Sequence, residues 1–312
     1  MIRTPFASTL ALVLASGCAA DRAIVADAPP QPATTSVPVV GKPTPAPTPA
    51  PAPTVSPEPA RPAPTLEVTG QLTQGGFIRG AASRGVRSVT LGGVPLALAA
   101  DGTFFAAFDR DAELEHSLVA TFERGRLERT IPISARDWNI ERVNVARRTG
   151  GASEAFLRIR RPELAQIVAA RAKETGAQGW KQDFIWPVKG RISGRFGSQR
   201  IYRGEPGSYH SGIDIAGGNN ATYVAPADGV VVLATPEPFS LEGYLLIIDH
   251  GNGLNSAFLH NSAILVEEGE TVKRGQPIGR IGASGRATGP HLHWSIKWRD
   301  ARLDPILFTG PM

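Results

Sequence analysis

Fourteen of the chain's 27 prolines fall between Pro29 and Pro64, and this concentration limits where a fold can be. Proline fixes φ and removes a backbone donor, so a stretch made almost wholly of Ala, Pro, Thr and Val cannot pair into sheets. Nor can it bury enough apolar surface to offset its ordering entropy. Residues 18–65 therefore read as an extended, polyproline-like tether. Folded mass starts near Leu66, and the remaining residues, about 245, suffice for one large or two modest domains.

The segment before the tether has a short basic start, Met1-Ile2-Arg3, and an apolar run from Phe6 to Ala15. That run is too short for a bilayer, which needs about 20 residues. With the small residues Ala15-Ser16-Gly17 behind it, residues 1–17 read as a secretory signal peptide. Leu14-Ala15-Ser16-Gly17-Cys18 also resembles a bacterial lipobox, with Ala15 where an aliphatic residue is commoner. The resemblance implies that Cys18 is the lipidated first residue of the mature chain, anchored to a membrane on the periplasmic side of the envelope. Plain cleavage would instead release a soluble periplasmic or secreted protein. Cys18 is the single cysteine, which excludes a disulfide framework and a cysteine-based metal site.

The sequence pI of 9.6 says less than it suggests. Residues 66–145 carry 9 basic and 10 acidic groups, residues 146–183 carry 8 and 4, and residues 184–312 carry 12 and 11. The positive excess sits in the middle segment, and with no basic stripe interleaved with aromatics, no nucleic-acid partner is expected.

Short strands divided by turn residues fill 66–145, with candidates at Phe77–Ala81, Val86–Leu91, Val94–Leu98, Ser117–Phe122 and Leu127–Ile133, and an Asp101-Gly102 hairpin signal before Thr103-Phe104-Phe105. They suggest a small β-sandwich-like domain. His116, after the acidic run Asp109 to Glu115, reads as a solvated loop histidine. Residues 146–183 read as a linker with one helix: Pro162 at its first position, Leu164, Ile167 and Val168 as a stripe packed on a neighbour, Gly176 as its stop. From Phe184 the chain is β-rich, with turn signals at Gly217-Gly218, Gly251-Asn252-Gly253 and Gly282 to Gly285. An antiparallel sheet over 184–312 is expected. The fold class is mainly β.

Five of the six histidines lie within the 84 residues from His210 to His293. A strand sends residues i and i+2 to one face, so His291 and His293 should point together. On the same rule His210, Gly212 and Asp214 should share a strand face, with Gly212 leaving space between two polar side chains. Two imidazoles and a carboxylate are the three-ligand set of a catalytic zinc site with its fourth position open. If zinc takes His210, Asp214 and one of the paired histidines, the other stands beside the metal, and His260 could complete a catalytic pair. His250, in Asp249-His250-Gly251-Asn252-Gly253, reads as a satisfied core or turn residue.

The His210-x-x-x-Asp214 element, Phe258-Leu259-His260, and Gly285-Arg286-Ala287-Thr288-Gly289-Pro290-His291-Leu292-His293 resemble the lysostaphin-like (LytM-type) zinc metallopeptidases of bacterial cell walls. The likeness runs from about Trp186 to Phe308. It implies His210, Asp214 and His293 as ligands of one zinc, His260 and His291 as the catalytic pair, and hydrolysis of peptide bonds in peptidoglycan. The resemblance leaves open which histidine is the general base. An alternative is a non-enzymatic regulator that uses the same fold to activate a cell-wall amidase; family members with that role typically lack ligands, whereas here all five positions are intact. Residues 66–145 are expected to limit access to the groove or to position it on a partner.

Overall fold

The computed structural model describes residues 63–147 and 152–312. The signal peptide, Cys18 and nearly all of the tether lie outside the described residues.

The first eight strands are β1 (Leu66–Gln71), β2 (Phe77–Ala82), β3 (Val86–Leu91), β4 (Val94–Pro95), β5 (Thr103–Ala107), β6 (Glu115–Phe122), β7 (Arg126–Pro132) and β8 (Ile140–Val143). Two antiparallel sheets form, in the orders β1-β2-β5 and β4-β3-β6-β7. Period-two burial drives them: along β6, Leu118, Ala120 and Phe122 are buried while their neighbours are not. Gly80 in β2 is demanded by packing, since a Cβ there would lie 2.0 Å from the Phe104 ring.

Two local expectations are corrected here. The strand expected over Val94–Leu98 stops at Pro95, with Leu98 making only an isolated bridge to Phe104, because proline cannot donate to a ladder. His116 is no loop residue: it lies in β6 opposite Ile131, with its ring 4.8 Å from that of Phe108. Its Nε2 is buried and has no hydrogen-bond partner among the described residues. The acidic run ends inside the strand because Glu115 already pairs with Pro132.

Helix α1 (Glu154–Arg171) starts eight residues before Pro162 and carries that proline in its interior. Ser153 sets the start, its hydroxyl accepting from the Phe156 N–H at 3.1 Å. Of the expected stripe only Ile167 packs on the core, against the cluster that includes Val232, Leu245 and Ile247. Leu164 and Val168 are exposed, whereas Arg160, Glu163 and Ala170 are buried. The helix ends at Arg171, ahead of Gly176.

Twelve strands follow: β9 (Arg191–Gly194), β10 (Gln199–Tyr202), β11 (Glu205–Pro206), β12 (Ile213–Ala216), β13 (Thr222–Val224), β14 (Gly229–Ala234), β15 (Tyr244–Gly251), β16 (Leu254–Ile264), β17 (Thr271–Val272), β18 (Pro277–Ile281), β19 (Leu292–Trp298) and β20 (Ala301–Leu303), with a short closing helix α2 (Ile306–Thr309). The large antiparallel sheet has the path β17-β14-β15-β16-β19-β12-β9, with β13, β18 and β20 paired off it. Trp294, Tyr223, Phe258, Ile213 and Ile215 are fully buried in its core.

The described residues form one compact unit. Phe77 of β2 stacks on Phe308 of α2 at 4.2 Å, and Arg136 pairs with the buried Asp304 at 2.8 Å. The link is also made by backbone: β8 runs parallel to β10, with Gln199 opposite Ile140.

Candidate functional site

β12 and β19 are antiparallel neighbours with Asp214 directly opposite His293. Directly opposed residues hold their Cβ atoms about 5 Å apart, so strand pairing alone brings this carboxylate to this imidazole. His293 Nδ1 lies 2.9 Å from Asp214 Oδ1. His210 is not on the strand as expected, because β12 begins only at Ile213. The chain bends at Gly212, and His210 Nε2 arrives 3.1 Å from Asp214 Oδ1 and 3.1 Å from His293 Nδ1. Gly212 serves close approach rather than spacing: a Cβ there would meet Trp294 O at 2.5 Å and His293 Nε2 at 2.8 Å. Gly194 acts likewise, since a Cβ there would lie 2.2 Å from Asp214 Oδ2.

The other two histidines stand beside this cluster. His291 bridges Gly282 just before β19, and its Nε2 lies 3.6 Å from Asp214 Oδ1. His260 occupies β16 with φ at +64°, where the register against β15 shifts between the Tyr244–Asn261 and Leu246–Phe258 pairs. A bulge of this kind re-aims a side chain out of the strand's alternation. The His260 and His291 rings lie 5.0 Å apart.

Backbone carbonyls set the tautomers. The Nδ1–H groups of His210, His260 and His291 donate to the carbonyls of Arg195 (3.1 Å), Ser284 (2.9 Å) and Gly289 (2.8 Å). In each neutral ring Nε2 then carries the lone pair. Burial alone would raise the Asp214 pKa, but hydrogen bonds and charge from His210 and His293 outweigh it and hold the carboxyl well below the usual range. At His210 burial works against the charged form, yet the hydrogen bond and charge of Asp214 prevail and raise its pKa. Burial lowers the pKa of His293 and of His260.

The donor set fits a zinc ion. One ligand atom each from His210, Asp214 and His293 lies within 4.8 Å of the others, and the separations of 2.9–3.1 Å approach the roughly 3.4 Å between ligands on a tetrahedral zinc with bonds near 2.1 Å. Two imidazole nitrogens facing one carboxylate oxygen are an arrangement that a cation satisfies.

His250 stays out of the site. It is fully buried in β15, donates through Nδ1 to Asp228 O at 2.8 Å and accepts at Nε2 from the Ser256 hydroxyl at 2.9 Å. Burial pulls its pKa down to about 4. Residues that sequence reasoning missed are Gly194 and those whose carbonyls accept from the imidazoles, Arg195, Ser284 and Gly289; a carbonyl belongs to every residue type and leaves no mark in a sequence. Beside His210 opens a cleft of about 890 Å³, lined in part by Tyr202, Tyr209, Arg286 and, from the β8 segment, Glu141 and Arg147.

Residues 208–305 match the family model for peptidase family M23. The peptidoglycan DD-endopeptidase ShyA of Vibrio cholerae is 38% identical over 133 residues, 41% of this chain and 30% of that protein. The murein hydrolase activator NlpD of Escherichia coli is 36% identical over 125 residues, 39% of this chain and 30% of that one. The chain thus spans less than a third of the length of these relatives. A solved Pseudomonas aeruginosa structure described as a peptidase M23 covers 78% of this chain and 96% of its own, at 26% identity and a TM-score of 0.59, so the likeness extends past the large sheet. All five histidine and aspartate side chains of the site lie within the matched stretch, and residues 208–305 therefore form a peptidase family M23 domain.

Proposed function

We propose that the chain is a zinc-dependent endopeptidase that hydrolyses peptide bonds in peptidoglycan. The observation that carries this reading is the convergence of His210, Asp214 and His293 on one point with the His260 and His291 rings beside it. His210, Asp214 and His293 would hold the metal. Bound zinc supplies Lewis-acid polarisation of the scissile carbonyl and lowers the pKa of water to about 7.

His260 acts as general base. Its Nδ1–H is committed to Ser284 O and burial keeps the ring neutral, so Nε2 takes the proton of the attacking water and then gives it to the leaving amine. His291, held through Nδ1 by Gly289 O, stands beside the oxyanion of the tetrahedral intermediate and in its imidazolium form donates to it from Nε2. The relatives named as DD-endopeptidases support the substrate class.

The parts divide as signal peptide 1–17, tether 18–65, β domain 66–145, helical linker 146–183 and peptidase domain 184–312. Lipidation of Cys18 would fix the chain to the periplasmic side of the envelope, a placement supported by a Pseudomonas aeruginosa relative named as a lipoprotein, 37% identical over 132 residues. No helix among the described residues is long and apolar enough to cross a membrane.

Incubating the purified chain with isolated sacculi and identifying the released fragments by mass spectrometry tests the reading. New peptide termini that vanish with a chelator and return with zinc support it, and intact cross-links sink it. The NlpD likeness favours a second reading, activation of a cell-wall amidase. In that case fragments appear only when an amidase is added.

A further inference from the structure

Helix α1 lies outside residues 208–305 and gives no side chain to the metal cluster, yet it buries charge and leaves apolar surface in solvent. Arg160 and Glu163 are 9% and 7% exposed, while Leu164 and Val168 are 44% and 67% exposed. Both terminal nitrogens of Arg160 donate to Glu242, at 2.6 Å each, and Nη1 also reaches Glu163 at 3.0 Å. Glu163 in turn accepts from the Ser240 N–H and hydroxyl, each at 2.6 Å. The Glu242 hydrogen bond raises the Arg160 pKa, consistent with a tight pair. Attraction within a buried ion pair roughly offsets its desolvation, so such a pair adds little net stability, while a bidentate fork adds geometric definition.

The geometry it defines is that of the segment from Phe239 to Gly243, which touches the catalytic side of the sheet. Glu242 O accepts the His260 N–H at 2.8 Å, and Leu241 O accepts the Arg286 N–H at 2.9 Å. Gly243 packs against Ser284 so closely that a Cβ would lie 2.2 Å from Ser284 Oγ. The carbonyl of that same Ser284 accepts from His260 Nδ1. Both the backbone and the ring of His260 are therefore held by groups that this segment carries or touches.

We propose that Arg160, acting through Glu242, is a positioning residue for His260, so that the connector helix is a working part of the active site. The inference rests on the reading of His260 as general base.

The test uses the full chain and the variants Arg160→Gln, Arg160→Lys, Glu242→Gln and the control Val168→Ala. It measures kcat and KM on a cross-linked muropeptide, zinc content, and amide hydrogen exchange. Arg160→Gln is expected to lower kcat about tenfold to a hundredfold, the scale of a roughly 1 Å misplacement, with KM and zinc content unchanged. Exchange at the His260 amide should quicken while that at His293 does not. Arg160→Lys should restore part of kcat, and Val168→Ala should match the parent. Unchanged kcat and unchanged exchange at His260 overturn the proposal, as does a loss confined to KM. If Arg160→Gln fails to fold, Arg160→Lys and Glu242→Gln decide it by the same criteria. If the parent chain cleaves nothing, the endopeptidase reading has failed. Exchange at His260 then still decides the clamp, quickened in the variants for it and unchanged against it.

Discussion

His293 on β19 and His250 on β15 are both buried histidines of one sheet, 8% and 0% exposed, and they teach what separates a proposed metal ligand from a core residue. Each ring nitrogen of His250 has one complementary partner, Asp228 O or the Ser256 hydroxyl, and the Ser256 hydroxyl also accepts from Trp294 Nε1 at 3.2 Å. Nothing at that site calls for a further atom. His293 Nδ1 instead faces a carboxylate oxygen and a second imidazole nitrogen together. Burial is common to both; convergence of lone pairs is not.

The largest test of that contrast is to delete each ring. His293→Ala should strip zinc from the chain, measurable by atomic emission. Hydrolysis should drop by about a thousandfold or more, equivalent to several kcal/mol of lost polarisation. His250→Ala should keep metal and activity. A His293→Ala chain that still hydrolyses erases the distinction.

Next in size, His260→Ala and His291→Ala should each retain zinc while losing about a hundredfold to ten-thousandfold in kcat, the range of acid–base catalysis. Parallel loss of metal would place them among the ligands instead.

A smaller effect is expected in stability. His250→Ala leaves Asp228 O and the Ser256 hydroxyl short of a partner and opens a void, costing about 2–4 kcal/mol in urea unfolding. An unshifted midpoint would show that the ring is not part of the core's support.

The pH dependence follows from the same ring. Its folded pKa, about 4, lies below the ordinary 6.5, so the unfolded chain binds more protons between those values and stability must rise with pH there. The contribution is complete above about pH 6.5 and is lost as pH falls through about 4, roughly 3 kcal/mol in all. Unfolding at pH 7.5 and 4.5 should show a larger loss of stability in the parent than in His250→Gln. A slope that the substitution leaves unchanged assigns the titration elsewhere.

Much of the site was legible because its chemistry is carried by side chains with narrow uses. Spacing placed His291 and His293 together, and the motifs named His210, Asp214 and His260. Strand alternation was legible for the same reason around Val86–Leu91 and Ser117–Phe122. The supports were not legible. Arg195, Ser284 and Gly289 contribute carbonyls, and Gly194 contributes only the lack of a Cβ. Helix α1 misleads by a different route. Of the inward stripe its apolar residues suggested, only Ile167 packs inward, and the same face buries Arg160 and Glu163, whose partners Glu242 and Ser240 lie about 80 residues downstream. Pro162 looked like a helix start, yet Ser153 supplies a cap strong enough to begin the helix earlier.

One backbone angle has a consequence for anyone improving this protein. At +64°, His260 sits where a residue with a Cβ is disfavoured by about 1 kcal/mol. His260→Gly should therefore outlast His260→Ala by about that amount in thermal unfolding, while both are inactive. Selection for heat resistance alone will drift toward glycine at position 260 and away from the proposed general base. Only a screen that also scores hydrolysis will keep the imidazole against the chain's own conformational preference.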